Sequence, residues 1–225
     1  MKIGIVIAVS SELKSFLESK YEVETIEEDY RTIYKTNVNG NDIYAIKSGC
    51  GEIDASISTQ YLITKYNVEI ILNYGVTGAL VKDIKVSDLF IVKGAINYDF
   101  DASSVTIGGK PYKYEDVDTI DIPLDKGLIK LAKELFPDLK ECLVASGEKF
   151  IEDKDVKTNL AGLGCSICDM EIVGIARTCL KNNVKCLSIK CISDTFDGDG
   201  SMFEENVKAS SDKAFNLLNN ILEKL

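Results

Sequence analysis

Lys2-Ile3-Gly4-Ile5-Val6-Ile7-Ala8-Val9-Ser10-Ser11-Glu12 is the stretch on which the fold turns. Residues 3–9 are apolar without alternation, so no face of this segment is meant for water. A short run of this kind, rich in β-branched residues, reads as a strand covered on both faces. Ser10 and Ser11 then offer an N-cap, and Glu12 to about Leu17 read as a helix. A buried strand that feeds a helix is the opening half of a parallel β-α-β unit. The run is too short for the h-region of a signal peptide and passes straight into polar residues.

The same alternation continues outward. Arg31–Asn37 and Asp42–Lys47 read as strands joined through Asn39-Gly40, a hairpin signal. Ser48-Gly49-Cys50-Gly51 leads into an amphipathic helix to about Lys65. Val68–Tyr74 is an apolar strand, with a tight turn expected at Gly75-Val76-Thr77-Gly78. Leu89–Ala95 reads as a strand, 97–123 as a long polar loop, Leu128–Leu135 as a helix and Glu141–Ser146 as a strand. A strand-like run reaches Cys168, Ile172–Leu180 is helical, Leu187–Ile192 is a strand and Glu205–Leu225 is a closing amphipathic helix. The expected fold is α/β: a three-layer α/β/α sandwich around a mixed, largely parallel sheet. In such sheets ligands bind beyond the carboxyl ends of the strands. Residues 49–51, 75–78, 146–148 and 193–194 all follow strands and are expected to share one rim.

Composition narrows the function. The 225 residues fit one domain spanning 1–225. A net charge of −10 repels phosphate backbones, so a nucleic-acid partner is not expected. No apolar run approaches the roughly 20 residues that span a bilayer, and a cytoplasmic protein is expected. Seven cysteines, an odd number scattered through apolar segments, read as reduced, buried thiols. The single Cys165/Cys168 pair is weak support for zinc. The chain contains no histidine, which rules out Ser-His-Asp and Cys-His pairs and every histidine metal site. Carboxylate chemistry remains, the kind that breaks glycosidic bonds.

Three carboxylates stand where an α/β protein places its chemistry: Glu12, Glu171 in Asp169-Met170-Glu171, and Asp194 in Ile192-Ser193-Asp194. Taken singly, Glu12 and Glu171 are first-turn acids favoured by a helix dipole, and Asp194 is a turn former. Gly49-Cys50-Gly51 lacks the third glycine of a dinucleotide loop. Asp54 stands there instead, and it would repel a pyrophosphate.

In this order and spacing the segments carry a resemblance. Lys2-Ile3-Gly4-Ile5 with Glu12, Ser48–Gly51, Asn73–Gly78, Ser146–Ile151, Asp169–Glu171 and Ile192–Asp194 resemble the nucleoside phosphorylase and nucleosidase family. They are most similar to 5′-methylthioadenosine/S-adenosylhomocysteine nucleosidases. The resemblance runs nearly end to end. It implies cleavage of an N-ribosidic bond through an oxocarbenium-like transition state, with no cofactor and no metal. Asp194 would match the acid that protonates the purine at N7, and Ser193 would orient it. Glu12 would match the base that positions water. Glu171 would match the carboxylate on the ribose hydroxyls, with Met170 beneath the sugar. Phe150 would stack on the purine, the Ile151 backbone would read its edge, and Phe203 would close the 5′ pocket. Val76 and Gly78 would line the site near the water and the base.

The departures are Val76 in place of a small hydroxyl residue, Lys190 in place of Arg, and Tyr98-Asp99-Phe100-Asp101 without the usual histidine. The resemblance also implies a homodimer with pockets near the interface. Three alternatives stay open. One is a phosphorylase on the same fold, which the presence of only two arginines, Arg31 and Arg177, disfavours. The others are a silent nucleoside-binding protein and a hydrolase for a futalosine-type compound.

Overall fold

The opening run becomes β1 (Lys2–Ile7), and its parallel partners on either side explain why none of its faces is polar. In the computed structural model, which describes residues 1–106 and 109–225, β1 feeds α1 (Ser10–Leu17). There follow β2 (Glu24–Glu28), β3 (Arg31–Val38), β4 (Asn41–Lys47), α2 (Glu52–Tyr66), β5 (Ile70–Ala79) and β6 (Leu89–Asn97). The second half contains β7 (Ile122–Pro123), α3 (Lys126–Leu135), β8 (Lys140–Ser146), α4 (Lys154–Gly162), β9 (Ile167–Asp169), α5 (Ile172–Asn182), β10 (Lys185–Asp194) and α6 (Gly200–Leu222). Ile107 and Gly108, within the expected long loop, lie outside the described residues.

The sheet is mixed. The long pairings β1–β4, β5–β10 and β6–β8 are parallel, while β3 joins β4 and β2 through antiparallel hairpins. Asn39 and Gly40 both take positive φ in the β3–β4 turn, as an Asn-Gly hairpin requires. The sheet also closes. β5 pairs with β10, β10 with β6, β6 with β8, β8 with β9, and β9 back with β5 at Gly78–Cys168. This barrel-like ring is a feature that a layered expectation from strand–helix alternation does not contain.

Side-chain alternation sends β5 residues to opposite helix groups. Ile71 and Leu62 of α2 fill the space beside Gly4, where a Cβ would come within 2.6 Å of Ile71. Tyr74, three residues on and on the other face, packs its ring 5.3 Å from Phe215 of α6. Both sides are deeply buried, and each such side chain contributes about 1.5–3 kcal/mol relative to exposure.

Three sequence expectations are corrected here. The turn expected at Gly75–Gly78 is continuous strand, because β10 pairs along its whole length. The glycines serve clearance instead: a Cβ at 75 would collide with Glu12, and one at 78 would come within 2.7 Å of Asp194 Oδ2. The cap of α1 is Val9, with Ser10 and Ser11 already helical, and the Glu12 carboxylate accepts the Val9 N–H. Cys50 is exposed, unlike the six other thiols, because it sits between Gly49 and Gly51 at positive φ in an open turn. Helix α4, capped by Asp153, and the short strand β2 are additions to the sequence reading.

Candidate active site

A cavity of about 400 Å³ lies beyond the carboxyl ends of β1, β4, β5 and β10, where the end of β9 crosses in. The structure brings to it Glu12, Val76, Gly78, Phe150, Met170, Glu171, Ser193, Asp194 and Phe203. Ile151 is absent from this lining. It borders a small adjoining cavity of about 30 Å³, shared with Gly78, Phe150 and Asp194.

Glu12 reaches the cavity from the first turn of α1. Its carboxylate is almost fully buried and accepts three backbone N–H groups: Ala8 and Val9 at 3.1 Å and Val76 at 2.9 Å. Burial raises its pKa, while Lys190 and the three donors oppose the rise. Glu171 stands at the N-cap of α5, but it does not cap that helix. It turns back across the cavity to accept the Gly51 N–H at 3.1 Å. Gly51 at φ +105° is what presents that N–H. Burial, with Asp169 and Glu12 nearby, raises the Glu171 pKa, and Lys190 works against them.

Asp194 ends β10 just past a register shift between Ile192 and Asp194. A bulge of this kind re-aims a side chain. Asp194 therefore pairs with Gly78, and its Oδ1 accepts the Ser193 hydroxyl at 2.8 Å. Burial is the largest influence on the carboxyl and raises its pKa; the Ser193 bond and the Lys157 charge oppose it. At the mouth, Phe150 is 46% exposed and meets Phe203 edge to face, centroids 5.8 Å apart.

From Asp169 at the cavity wall a polar network runs inward whose connections sequence reasoning missed. Lys190 Nζ stands 2.7 Å from Asp169 Oδ2, both side chains nearly inaccessible. Asp169 Oδ1 lies 2.5 Å from Ser146 Oγ, which lies 2.6 Å from Glu52 Oε1. Glu52 also accepts the Gly174 N–H of α5. A signal for part of this was present: a lysine between Ile189 and Cys191 in an apolar strand needs a buried carboxylate partner. Cys165 and Cys168 belong to a small apolar cluster with Leu80, Ile96 and Ile151. Among the described residues no helix is long and apolar enough to cross a membrane.

Residues 2–223 match the family profile described as Phosphorylase superfamily. The chain belongs to that superfamily. Among its relatives, the 5′-methylthioadenosine/S-adenosylhomocysteine nucleosidase of Staphylococcus saprophyticus is 30% identical over 215 residues, 90% of each chain. The aminodeoxyfutalosine nucleosidase of Helicobacter pylori is 29% identical over 231 residues, covering 100% of this chain and 99% of the relative. A crystal structure of Helicobacter pylori 5′-methylthioadenosine/S-adenosylhomocysteine nucleosidase superposes with a TM-score of 0.94 at 28% identity, covering 100% and 99% of the two chains. That enzyme is complexed with a pyrrolidinol bearing an aminopyrrolopyrimidine and a propynylthiomethyl arm. The cavity described above carries Phe150 and Phe203 at its mouth and the carboxyl groups of Glu12, Glu171 and Asp194 in its depth.

Proposed function

We propose that this chain hydrolyses the N-ribosidic bond of 5′-modified adenosines such as methylthioadenosine and adenosylhomocysteine, releasing adenine. One observation carries the reading: three buried carboxyl groups, Glu12, Glu171 and Asp194, converge on one cavity closed by Phe150 and Phe203. The nucleosidases among its full-length relatives agree with it.

Asp194, whose carboxyl burial pushes above its ordinary value, is the proton donor and gives its proton to purine N7. The C1′–N9 bond breaks, and its electron pair leaves with the neutral base. Water adds to C1′ and passes a proton to Glu12, whose carboxylate is fixed by three N–H groups. Positive charge grows on the sugar between these events, and the Glu171 and Glu12 carboxylates stabilise it. Glu171 also holds the ribose hydroxyls, with Met170 beneath the ring. Phe150 stacks on the base, Ser193 orients Asp194, and the Ile151 backbone reads the purine edge. Val76 and Gly78 complete the wall, and Phe203 covers the 5′ substituent. The same resemblance supports one domain over 1–225 in a layered α/β/α arrangement, acting as a cytoplasmic homodimer without cofactor or metal.

Water is favoured over phosphate as nucleophile because no Arg or Lys lines the cavity among the described residues. A second reading, hydrolysis of an aminodeoxyfutalosine-type substrate, is favoured by full-length relatives named for it. The test is incubation with methylthioadenosine, adenosylhomocysteine and aminodeoxyfutalosine, with and without phosphate, followed by chromatography. Free adenine and free sugar in phosphate-free buffer are expected. A sugar 1-phosphate, formed only when phosphate is added, would make the chain a phosphorylase.

A further inference from the structure

Lys157 of α4 is wholly buried, yet no carboxylate pairs with it among the described ion pairs. Burying an ammonium is costly unless all its donors are met. An ammonium has three N–H groups, and Lys157 directs its Nζ at three carbonyls: Phe196 at 3.1 Å, Thr195 at 3.2 Å and Gly198 at 3.4 Å. These carbonyls belong to the turn that leaves Asp194 and ends at Asp199, the N-cap of α6.

Three further contacts tie the same turn down. Glu152 accepts the Gly200 N–H at 2.9 Å, Lys154 pairs with Asp197 at 2.6 Å, and the Met202 sulfur accepts the Thr195 N–H at 3.4 Å. The Lys154–Asp197 pair is on the surface and contributes little. Lys157 is the one buried member, and it holds the first residue after the acid. The turn also sets where α6 begins, and so where Phe203 meets Phe150.

We propose that Lys157 is the positioning residue of the proton donor: its ammonium fixes the turn that holds the Asp194 carboxyl against the base-binding end of the cavity and Phe203 over its mouth. The inference rests on the reading of Asp194 as the general acid. Lys157 touches no substrate and acts through the backbone. Its charge also acts on Asp194 in company with Glu152, the Ser193 hydroxyl and the Cys168 thiol of β9, and on Asp197. That charge favours the ionised acid. Removing it therefore lets Asp194 keep its proton to higher pH, while misplacing the carboxyl slows proton transfer.

The experiment measures kcat and KM for adenine release across pH for wild-type enzyme and Lys157→Met, which keeps the stem without the ammonium. A kcat at least about ten-fold lower is expected, since a positioned acid contributes about 10²–10⁴-fold. KM should rise by less than kcat falls, because Phe203 at the mouth moves with the same turn. The alkaline limb of kcat should move to higher pH, the direction in which loss of a nearby cation moves a carboxyl. A Lys157→Met enzyme with wild-type kcat, or with lower kcat and an unshifted limb, would overturn the proposal. If Lys157→Met does not fold, Lys157→Gln, which keeps two donors for the carbonyls but no charge, should lose less kcat and show the same upward move of the limb; wild-type kcat with an unshifted limb would overturn the proposal. Wild-type enzyme that releases no adenine fails the functional reading itself; active wild-type with an indifferent Lys157 fails only this inference.

Discussion

Lys190 Nζ lies 2.7 Å from Asp169 Oδ2, with both side chains excluded from water. Asp169 lines the cavity beside Glu171, and the Lys190 charge also acts on Glu12 and Glu171. One ammonium thus serves three buried carboxyl groups. Without it, ionising Glu12 and Glu171 together would place uncompensated like charges in a dry site.

Lys190→Met should therefore destabilise the protein strongly. Removing one partner of a buried pair leaves the other charge unpaired, which typically costs about 3–5 kcal/mol. The check is the denaturant midpoint at pH 7. A loss below about 1 kcal/mol would show that Asp169 does not depend on Lys190, because surface pairs are worth that little.

Ser146 has one hydroxyl hydrogen but two carboxyl oxygens at hydrogen-bond distance, Glu52 Oε1 and Asp169 Oδ1. A second proton is needed between these oxygens, and Glu52 carries it. Burial and the Asp169 charge push Glu52 up to about 8 from an ordinary 4.5. The folded chain holds this proton through the window from about 4.5 to about 8, where the unfolded chain releases it. Stability from this group is complete below the window and falls as pH rises through it. Glu52→Gln, whose amide donates to Ser146 and accepts from Gly174, should remove that slope. At pH 8 it should be roughly 2 kcal/mol or more stabler than wild type, given about 1.4 kcal/mol per unit. Melting curves at pH 5 and pH 8 test this; a variant less stable than wild type at pH 8 would place the proton elsewhere.

Phe150→Ala should raise KM with a smaller effect on kcat. The ring is half in solvent, so its loss opens no core cavity. Stacking a base on an aromatic ring is worth roughly 1–3 kcal/mol, equivalent to a KM rise of roughly five-fold or more. An unchanged KM, measured on methylthioadenosine, would remove Phe150 from the base site.

Much of this was legible in the chain, and the exceptions share a cause. Apolar runs announced β1, β5 and β10 because they are buried on both faces, where local pattern and tertiary environment agree. Gly75–Gly78 looked like a turn because glycine's commonest use is a turn; here it makes room for Glu12 and Asp194, carried by elements far away in sequence. The cavity carboxylates were found because each sits at an element end. Asp169, Ser146, Glu52 and Lys157 were not, since their importance lies in partners 21 to 122 residues away, a relation that no spacing encodes. Closure of the ring was likewise hidden, because the β5–β9 pairing involves only Gly78 and Ala79 on β5.

The most direct measurement of the central claim is kcat for adenine release by Asp194→Asn, taken with the melting temperature of the same preparation. The amide still hydrogen-bonds the base but hands over no proton. The variant should fold, bind with KM near wild type, and lose about 10²–10⁴-fold or more in kcat. A folded Asp194→Asn enzyme that keeps more than about a tenth of wild-type kcat would contradict the account, because that loss lies below the range of general acid catalysis.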